Sequence, residues 1–345
     1  MTPRILLTGK NGQVGSELLP LLQSSSDLAA VGRSELDLVK PAEIRRVITQ
    51  ARPHVIINAA AYTGVDQAEK EESLARAVNA DAPAVMAEEA KKIGALVVHY
   101  STDYVFDGTK HSPYTEDDAP NPLNAYGRTK LAGEEAIRAS GAAHLILRTA
   151  WVYATHGKNF LLTILRLATA REELRVVNDQ FGAPTPACAI AQATVRILSI
   201  VARSAETRLG GRSFSSDIRA GASSGFSTPG ARSAHLASLE DRTGTYHLTA
   251  AGETSWHEFA VAIVDECSRI RRGEPTSPAA QWLRTATAGR PIIAKRVAPI
   301  TTQDYPLPAR RPPYSVLSNT RLATAFGFSL PDWRSQLSEV CRSGL

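Results

Sequence analysis

The stretch NAYGRTKLAGE, residues 124–134, places Tyr126 four residues ahead of Lys130. On a helix, residues four apart share a face, so a phenol and an ammonium at this spacing can lie side by side. Such a pair can deliver a proton to an oxygen on which negative charge develops, as when a ketone accepts a hydride. A phenol with a pKa of about 10 suits that task at neutral pH only if a neighbouring cation stabilises its anion. The chain holds nine tyrosines and nine lysines, so one pair at this spacing decides nothing alone. The plain alternative is a helix aromatic packed on a sheet beside a solvated lysine.

A second constellation lies near the start. In LLTGKNGQVGSELLPLL, residues 6–22, Gly9, Gly12 and Gly15 stand three apart, with Asn11, Gln13 and Val14 between them. Small residues there permit a tight turn, a close backbone approach to a diphosphate, and close packing of helix on strand. The helix that follows adds the positive end of its dipole. This is a dinucleotide-binding signature, strengthened by an apolar strand before it and a helix after it. The second strand runs into AAVGRSELDL, residues 29–38. An NAD-selective site offers an acidic residue near this point, whereas Gly32, Arg33 and Ser34 suit a 2′-phosphate. NADPH is therefore favoured over NADH. Asp37, with Leu38 beside it, is placed to meet the adenine end or to cap the helix that Pro41 opens.

The elements that must position these residues follow from the hydrophobic pattern. RILLT (4–8), LAAV (28–31), HVIINAA (54–60), ALVVHYS (95–101) and HLILRT (144–149) read as buried strands. Helices are expected over 13–24, 41–50, 72–92 and 126–139, with Gly94 and Gly141 at two of their ends. Alternating helices and wholly apolar strands imply a parallel sheet covered on both faces, a doubly wound α/β domain of the Rossmann type. The rhythm changes after about residue 150. Helices over 159–170, 187–202 and 255–270 and strands over 174–179 and 244–250 suggest a smaller mixed α/β substrate lobe. Ser255 and Glu258 form a capping-box pattern, and two short helices end the chain, Pro331 opening the second. The division expected is 1–155 for the cofactor and 156–345 for the substrate, with the 187–202 helix returning to the first domain. Residues 203–243, rich in Gly, Ser and Arg without hydrophobic period, read as a flexible surface insertion.

Composition narrows the partners. The net charge is +5 and the pI about 9.1, but the basic residues are scattered, with no run and no interleaved aromatics. Nucleic acid is not expected as a partner, and a phosphate-bearing small molecule uses the same charge better. No stretch approaches a membrane span, and the start is too short in apolar residues for a signal peptide, so a cytoplasmic protein is expected. Cys188, Cys267 and Cys341 are widely spread and form neither a disulfide framework nor a metal motif.

Beyond the glycine loop, five segments carry a resemblance: INAAAYTGVDQAE (57–69), HYSTDYVFDG (99–108), AYGRTKLAGE (125–134), LRTAWVY (147–153) and VVNDQFGAPT (176–185). With them the sequence resembles the extended short-chain dehydrogenase/reductases, and within them the branch that reduces dTDP-4-dehydro-L-rhamnose at C4 to dTDP-L-rhamnose. The resemblance runs nearly end to end, save for residues 203–243. It implies that Thr102, Tyr126 and Lys130 act together on the ketone. It also implies that Ala59, Ala60, Ala61 and Asn79 belong to the cofactor site, and that Asp103, Trp151, Asn159 and Gln180 meet the nucleotide-sugar. Members of the branch often form homodimers through an interface where acidic side chains hold Mg²⁺. Here PACAIAQA puts Cys188 where an acidic ligand is expected, so Mg²⁺ is not expected, and the insertion can remodel such an interface. Two other readings stay open. One is another nucleotide-sugar reductase or epimerase; the other is a non-catalytic NADP-binding chain similar to the regulatory β subunit of methionine adenosyltransferase.

Overall fold

The computed structural model of the chain describes residues 2–210, 242–274 and 276–343, and only the backbone of 204–210. Strands β1 (Arg4–Thr8), β2 (Asp27–Val31), β3 (Val55–Asn58), β4 (Leu96–Thr102) and β5 (His144–Thr149) join a sixth strand, Gly244–His247, in one sheet. All its pairings are parallel, and the order from one edge is sixth, β5, β4, β3, β1, β2. The strands are apolar on successive residues because both faces are covered. Ile5, Leu7, Ile57 and Val98 face one core with Leu18, Leu22 and Ile190. Leu6, Ile56, Val97 and Ile146 face another with Ile44, Ile48, Met86 and Ile137. The chain leaves β1 for β2 and then returns past β1 to β3, so the strand order reverses between β1 and β3. In such sheets ligands bind outside the carboxyl ends of the strands at that reversal.

Most expected helices form within a residue or two of their sequence boundaries. The stretch 72–92 is an exception, for it is three pieces: Glu72–Arg76, a π turn at Ala77–Asp81, and Ala82–Ile93. Pro83 supplies the reason, since it lacks an N–H and crowds the carbonyl four residues back, at Asn79. The 187–202 helix extends to Gly210, past the expected start of the insertion at residue 203. Its Ile190, Ile197 and Val201 share a core with Leu18 and Leu22 of helix α1 (Gln13–Gln23). The rest of that expected insertion, 211–241, lies outside the described residues.

Beyond β5 a separate core gathers Tyr153, Leu161, Leu165, Phe259, Ile263, Trp333 and Leu337. Two of its elements have no clear sequence pattern. The helix Pro278–Ala286 is capped by Ser277, which accepts the Ala280 N–H. The strand Arg296–Ile300 pairs in parallel with Glu173–Val177 and tolerates Pro299 because that sheet has only two strands, both edges. Ser255 caps the helix Trp256–Arg272, but the Glu258 carboxylate turns to the Thr254 hydroxyl instead of closing the capping box. Pro331 precedes the last helix, Trp333–Ser343, and Asp332 accepts the Arg334 N–H at its start. Among the described residues, no helix is long and apolar enough to cross a membrane.

Candidate active site

A cavity of about 600 Å³ opens where the strand order reverses, a usual size for a ligand cleft. Gly9, Asn11, Gly12, Gln13 and Val14 line it, facing Ala59, Ala60 and Ala61 after β3 and Arg33, Asp37 and Leu38 after β2. Tyr126 and Lys130 line the same cavity. Gly15 does not; a Cβ there would stand 2.0 Å from the Gly9 carbonyl oxygen, so its absence lets helix and turn close on each other. The helix α1 begins at Gly12 with no side-chain cap and no acidic residue in its first turn. Its first-turn N–H groups and positive dipole end are thus left for an anion.

The end of β2 uses its acid internally. Glu35 accepts Lys10 Nζ at 2.9 Å and the Gly32 N–H at 2.8 Å. The Lys10 hydrogen bond, with the Gly32 amide, draws the Glu35 carboxyl down to about 2. Arg33 stays exposed at the rim of the cleft. Asp37 accepts the Val39 N–H and does not cap the next helix, whose N-cap is Lys40. Asn79 lies behind the lining: its amide grips both backbone groups of Tyr62, at 2.8 and 3.0 Å, and so supports the loop after β3.

The catalytic candidates meet where β4 ends. Thr102 is buried, donates to Asp103 Oδ1 at 2.9 Å and accepts the Tyr104 N–H at 3.1 Å. Tyr126 sits in the first turn of the helix Ala125–Ser140. Asn124 caps that helix by accepting the Gly127 N–H at 2.8 Å, and its own amide donates to the Arg310 carbonyl at 2.7 Å. Gly127 is required by a close approach, since a Cβ there would lie 2.2 Å from the Tyr104 carbonyl oxygen. Burial pushes the Tyr126 phenol up to about 12, with a Thr102 hydrogen bond opposing and the Asp103 charge adding. Asp103 also accepts Ser315 Oγ at 2.6 Å; burial raises its carboxyl to about 6 against those two hydroxyls.

Lys130 is engaged by β4. Its Nζ donates to the Tyr100 carbonyl at 2.6 Å and lies 3.1 Å from His99 Nε2. The amine is buried, and a dry amine takes whatever acceptor the strand end offers. Burial lowers it to about 8, with Glu134 opposing.

Trp151, Asn159 and Gln180 lie outside the lining of the cleft. Trp151 has φ 47° and stacks on Trp256 with centroids 3.5 Å apart and planes 5° from parallel. Asn159 caps the helix Phe160–Ala168 and donates to Gln13 Oε1 at 3.0 Å. It therefore ties residues 154–159 to the glycine loop, beside a His156–Glu17 contact of 2.9 Å. Gln180 is buried and donates to Thr302 Oγ1. Sequence reasoning missed His99, Asn58, Ser315, and His156, Gly157 and Lys158, the last three of which line the cleft. Only the fold brings these near the glycine loop or Asp103. Among the described residues no group of three or more His, Cys, Asp or Glu side chains is placed to hold a metal ion.

Comparison with known proteins agrees with this geometry. The family model described as RmlD substrate binding domain matches residues 3–211 and 231–344. A dTDP-4-dehydrorhamnose reductase of Burkholderia thailandensis is 45% identical over 96% of this chain and 95% of its own. The crystal structure of a dTDP-4-dehydrorhamnose reductase from Clostridium acetobutylicum aligns with TM-score 0.76 at 32% identity, covering 97% of each chain. That of the Bacillus anthracis dTDP-4-dehydrorhamnose reductase, in complex with NADP, gives 0.76 at 30% identity over 98% of each. The glycine-loop cleft, the Thr102–Tyr126 corner and these end-to-end matches place the chain in the dTDP-4-dehydrorhamnose reductase family.

Proposed function

We propose that the chain reduces the C4 ketone of dTDP-4-dehydro-L-rhamnose to dTDP-L-rhamnose with NADPH. The observation that carries this reading is that Tyr126 and Lys130 open onto the same cavity as the glycine loop. The residues present fit the cofactor: the uncapped start of α1 suits a diphosphate, and exposed Arg33 suits a 2′-phosphate. NADPH, when bound, supplies the hydride for the ketone carbon. The NADP complex of the Bacillus anthracis relative supports the choice of cofactor.

The chain's own groups handle the oxygen. Tyr126 gives its phenolic proton to the developing alkoxide, and the Thr102 hydroxyl holds that oxygen in reach once its proton turns from Asp103 Oδ1 to the substrate. Lys130, as an ammonium turned toward Tyr126, stabilises the phenolate left behind. Asp103 and Ser315 fix the Thr102 side chain. The Trp151–Trp256 stack provides a rigid platform on the substrate side, while Asn159 and Gln180 position the loops there. We take residues 1–155 as the cofactor domain and 156–345 as the substrate lobe, except that the helix from Ala187 packs in the cofactor domain's core and the strand Gly244–His247, expected in the lobe, completes its sheet.

The test is NADPH oxidation, followed by absorbance, with the keto-sugar as substrate. Replacing Tyr126→Phe should lower kcat by about 10²–10⁴, the usual contribution of a positioned proton donor, with NADPH binding retained. Equal turnover by wild type and variant removes Tyr126 from the chemistry. A wild-type protein that binds NADPH but never turns over favours the non-catalytic reading.

A further inference from the structure

Thr8, Asn58 and His99 stand at one register of β1, β3 and β4, Thr8 paired with Asn58 and Asn58 with His99. Each is 1% exposed. In-register parallel strands project such side chains to one face, and Lys130 Nζ closes the row from the helix above.

The hydrogen bonds along this row fix where its protons lie. Thr8 Oγ1 donates to Asn58 Oδ1 at 2.7 Å, and the Ala60 N–H donates to the same oxygen at 3.3 Å. A backbone N–H can only donate, so that oxygen stays there and the Asn58 NH₂ faces His99 Nδ1, 3.1 Å away. An NH₂ also only donates, so Nδ1 accepts. Burial holds His99 well below its ordinary pKa, so the ring is neutral, and with Nδ1 accepting its hydrogen is on Nε2. That Nε2–H meets Lys130 Nζ at 3.1 Å. To accept it, the amine needs a lone pair, which an ammonium lacks; one of the two N–H bonds of the neutral amine still serves the Tyr100 carbonyl at 2.6 Å.

We propose that the Thr8–Asn58–His99 row is a dock for the neutral amine of Lys130, and that NADPH binding draws the lysine out of it as an ammonium. One proton then passes from solvent to Nζ for each lysine released. His99 and Asn58 are positioning residues in this scheme, and the scheme rests on the reading that Lys130 serves the cofactor and Tyr126. Lys130 meets His99 and the Tyr100 carbonyl of β4, and the charge that acts on it from its own helix is that of Glu134. Glu134 is already paired with Arg148 and Arg138, which leaves little of its charge for the lysine.

The experiment is calorimetric titration of the full chain with NADPH at pH 8, in two buffers of different ionisation enthalpy, which counts protons taken up. With Nζ at about 8, about half the docked amines are neutral at that pH, so wild type should take up about half a proton per NADPH. Asn58→Asp is isosteric and puts an acceptor where the NH₂ stood. His99 then carries its hydrogen on Nδ1, Nε2 accepts from an ammonium, and uptake should fall to roughly a third or less of wild type. The lysine-dependent limb of the pH profile of kcat/KM should rise by about one unit or more in the same variant. If Asn58→Asp does not fold, His99→Gln offers Lys130 a carbonyl and reads the same quantity. No uptake by wild type, or equal uptake by wild type and variant, overturns the dock. So does uptake lost in His156→Gln but kept in Asn58→Asp, since His156 lines the same cleft. Tyr126→Phe separates the two readings: it should lose turnover and keep proton uptake, so either can fail while the other stands.

Discussion

Lys130 and Glu134 stand one turn apart on the same helix and are both buried, yet their charges are treated in opposite ways. Glu134 accepts Arg148 Nε at 2.9 Å and Nη2 at 2.7 Å, and Arg138 Nη1 at 3.1 Å. Burial raises its pKa, but the Arg148 hydrogen bonds and charge outweigh that, and the net shift is downward. Lys130 has a carbonyl and an imidazole instead of a carboxylate, and burial prevails. A buried charge with a full set of partners holds the helix to β5. One left short of partners can change state at small cost, which is what a catalytic group needs.

Three substitutions sharpen this contrast. The largest effect is expected from Glu134→Gln, which strands the buried Arg148 guanidinium and should cost about 3–5 kcal/mol in denaturant unfolding. A cost under about 1 kcal/mol would place Glu134 among ordinary surface pairs and dissolve the contrast. Lys130→Met should do the reverse, abolishing turnover while adding about 1–3 kcal/mol of stability at pH 7. The sign follows from linkage. The folded pKa of Lys130, about 8, lies below its ordinary 10.5, so its cost is complete below about 8 and is relieved as pH rises toward 10.5. The gain from methionine should therefore shrink between those values; an equal gain throughout contradicts the poised amine. Smallest is Asp103→Asn. Its folded carboxyl, at about 6, lies above the ordinary 3.8, so the aspartate costs stability above about 6 and nothing below 3.8. The variant's advantage in denaturant unfolding should appear as pH climbs through that window, amounting to about 1–2 kcal/mol of the roughly 3 kcal/mol the shift allows, because asparagine gives up one acceptor. A flat difference across pH removes Asp103 from the titrating groups.

Much of the scaffold was legible because its signals are local. The glycine spacing, the apolar strands and the Tyr126–Lys130 helix each declare themselves within a few residues. The π turn at 77–81 was hidden because hydrophobic period runs through it, and only Pro83 marks the disturbance. The strand Arg296–Ile300 was hidden by Pro299, which argues against a strand wherever edges are not considered. Within the site, Asn159 and Gln180 were legible only through the resemblance, and the side-chain hydrogen bonds they make within the protein could not be read from it. His99 passed as one more strand residue. Its meaning lies in register across three strands, and register is set by pairing partners dozens of residues away.

The Asn124 amide, which holds the Arg310 carbonyl, sets an order of events during synthesis. Arg311 clasps Asp66 at 2.7 Å and Ser315 reaches Asp103, so the segment 310–315 pins a corner whose other parts emerge much earlier. A growing chain can lay down β1 to β5 and the cleft beside them long before Tyr126 and Thr102 are locked in place. Competence for chemistry thus waits on a segment made well after the residues it fixes, so the acid is set later than the cleft it serves.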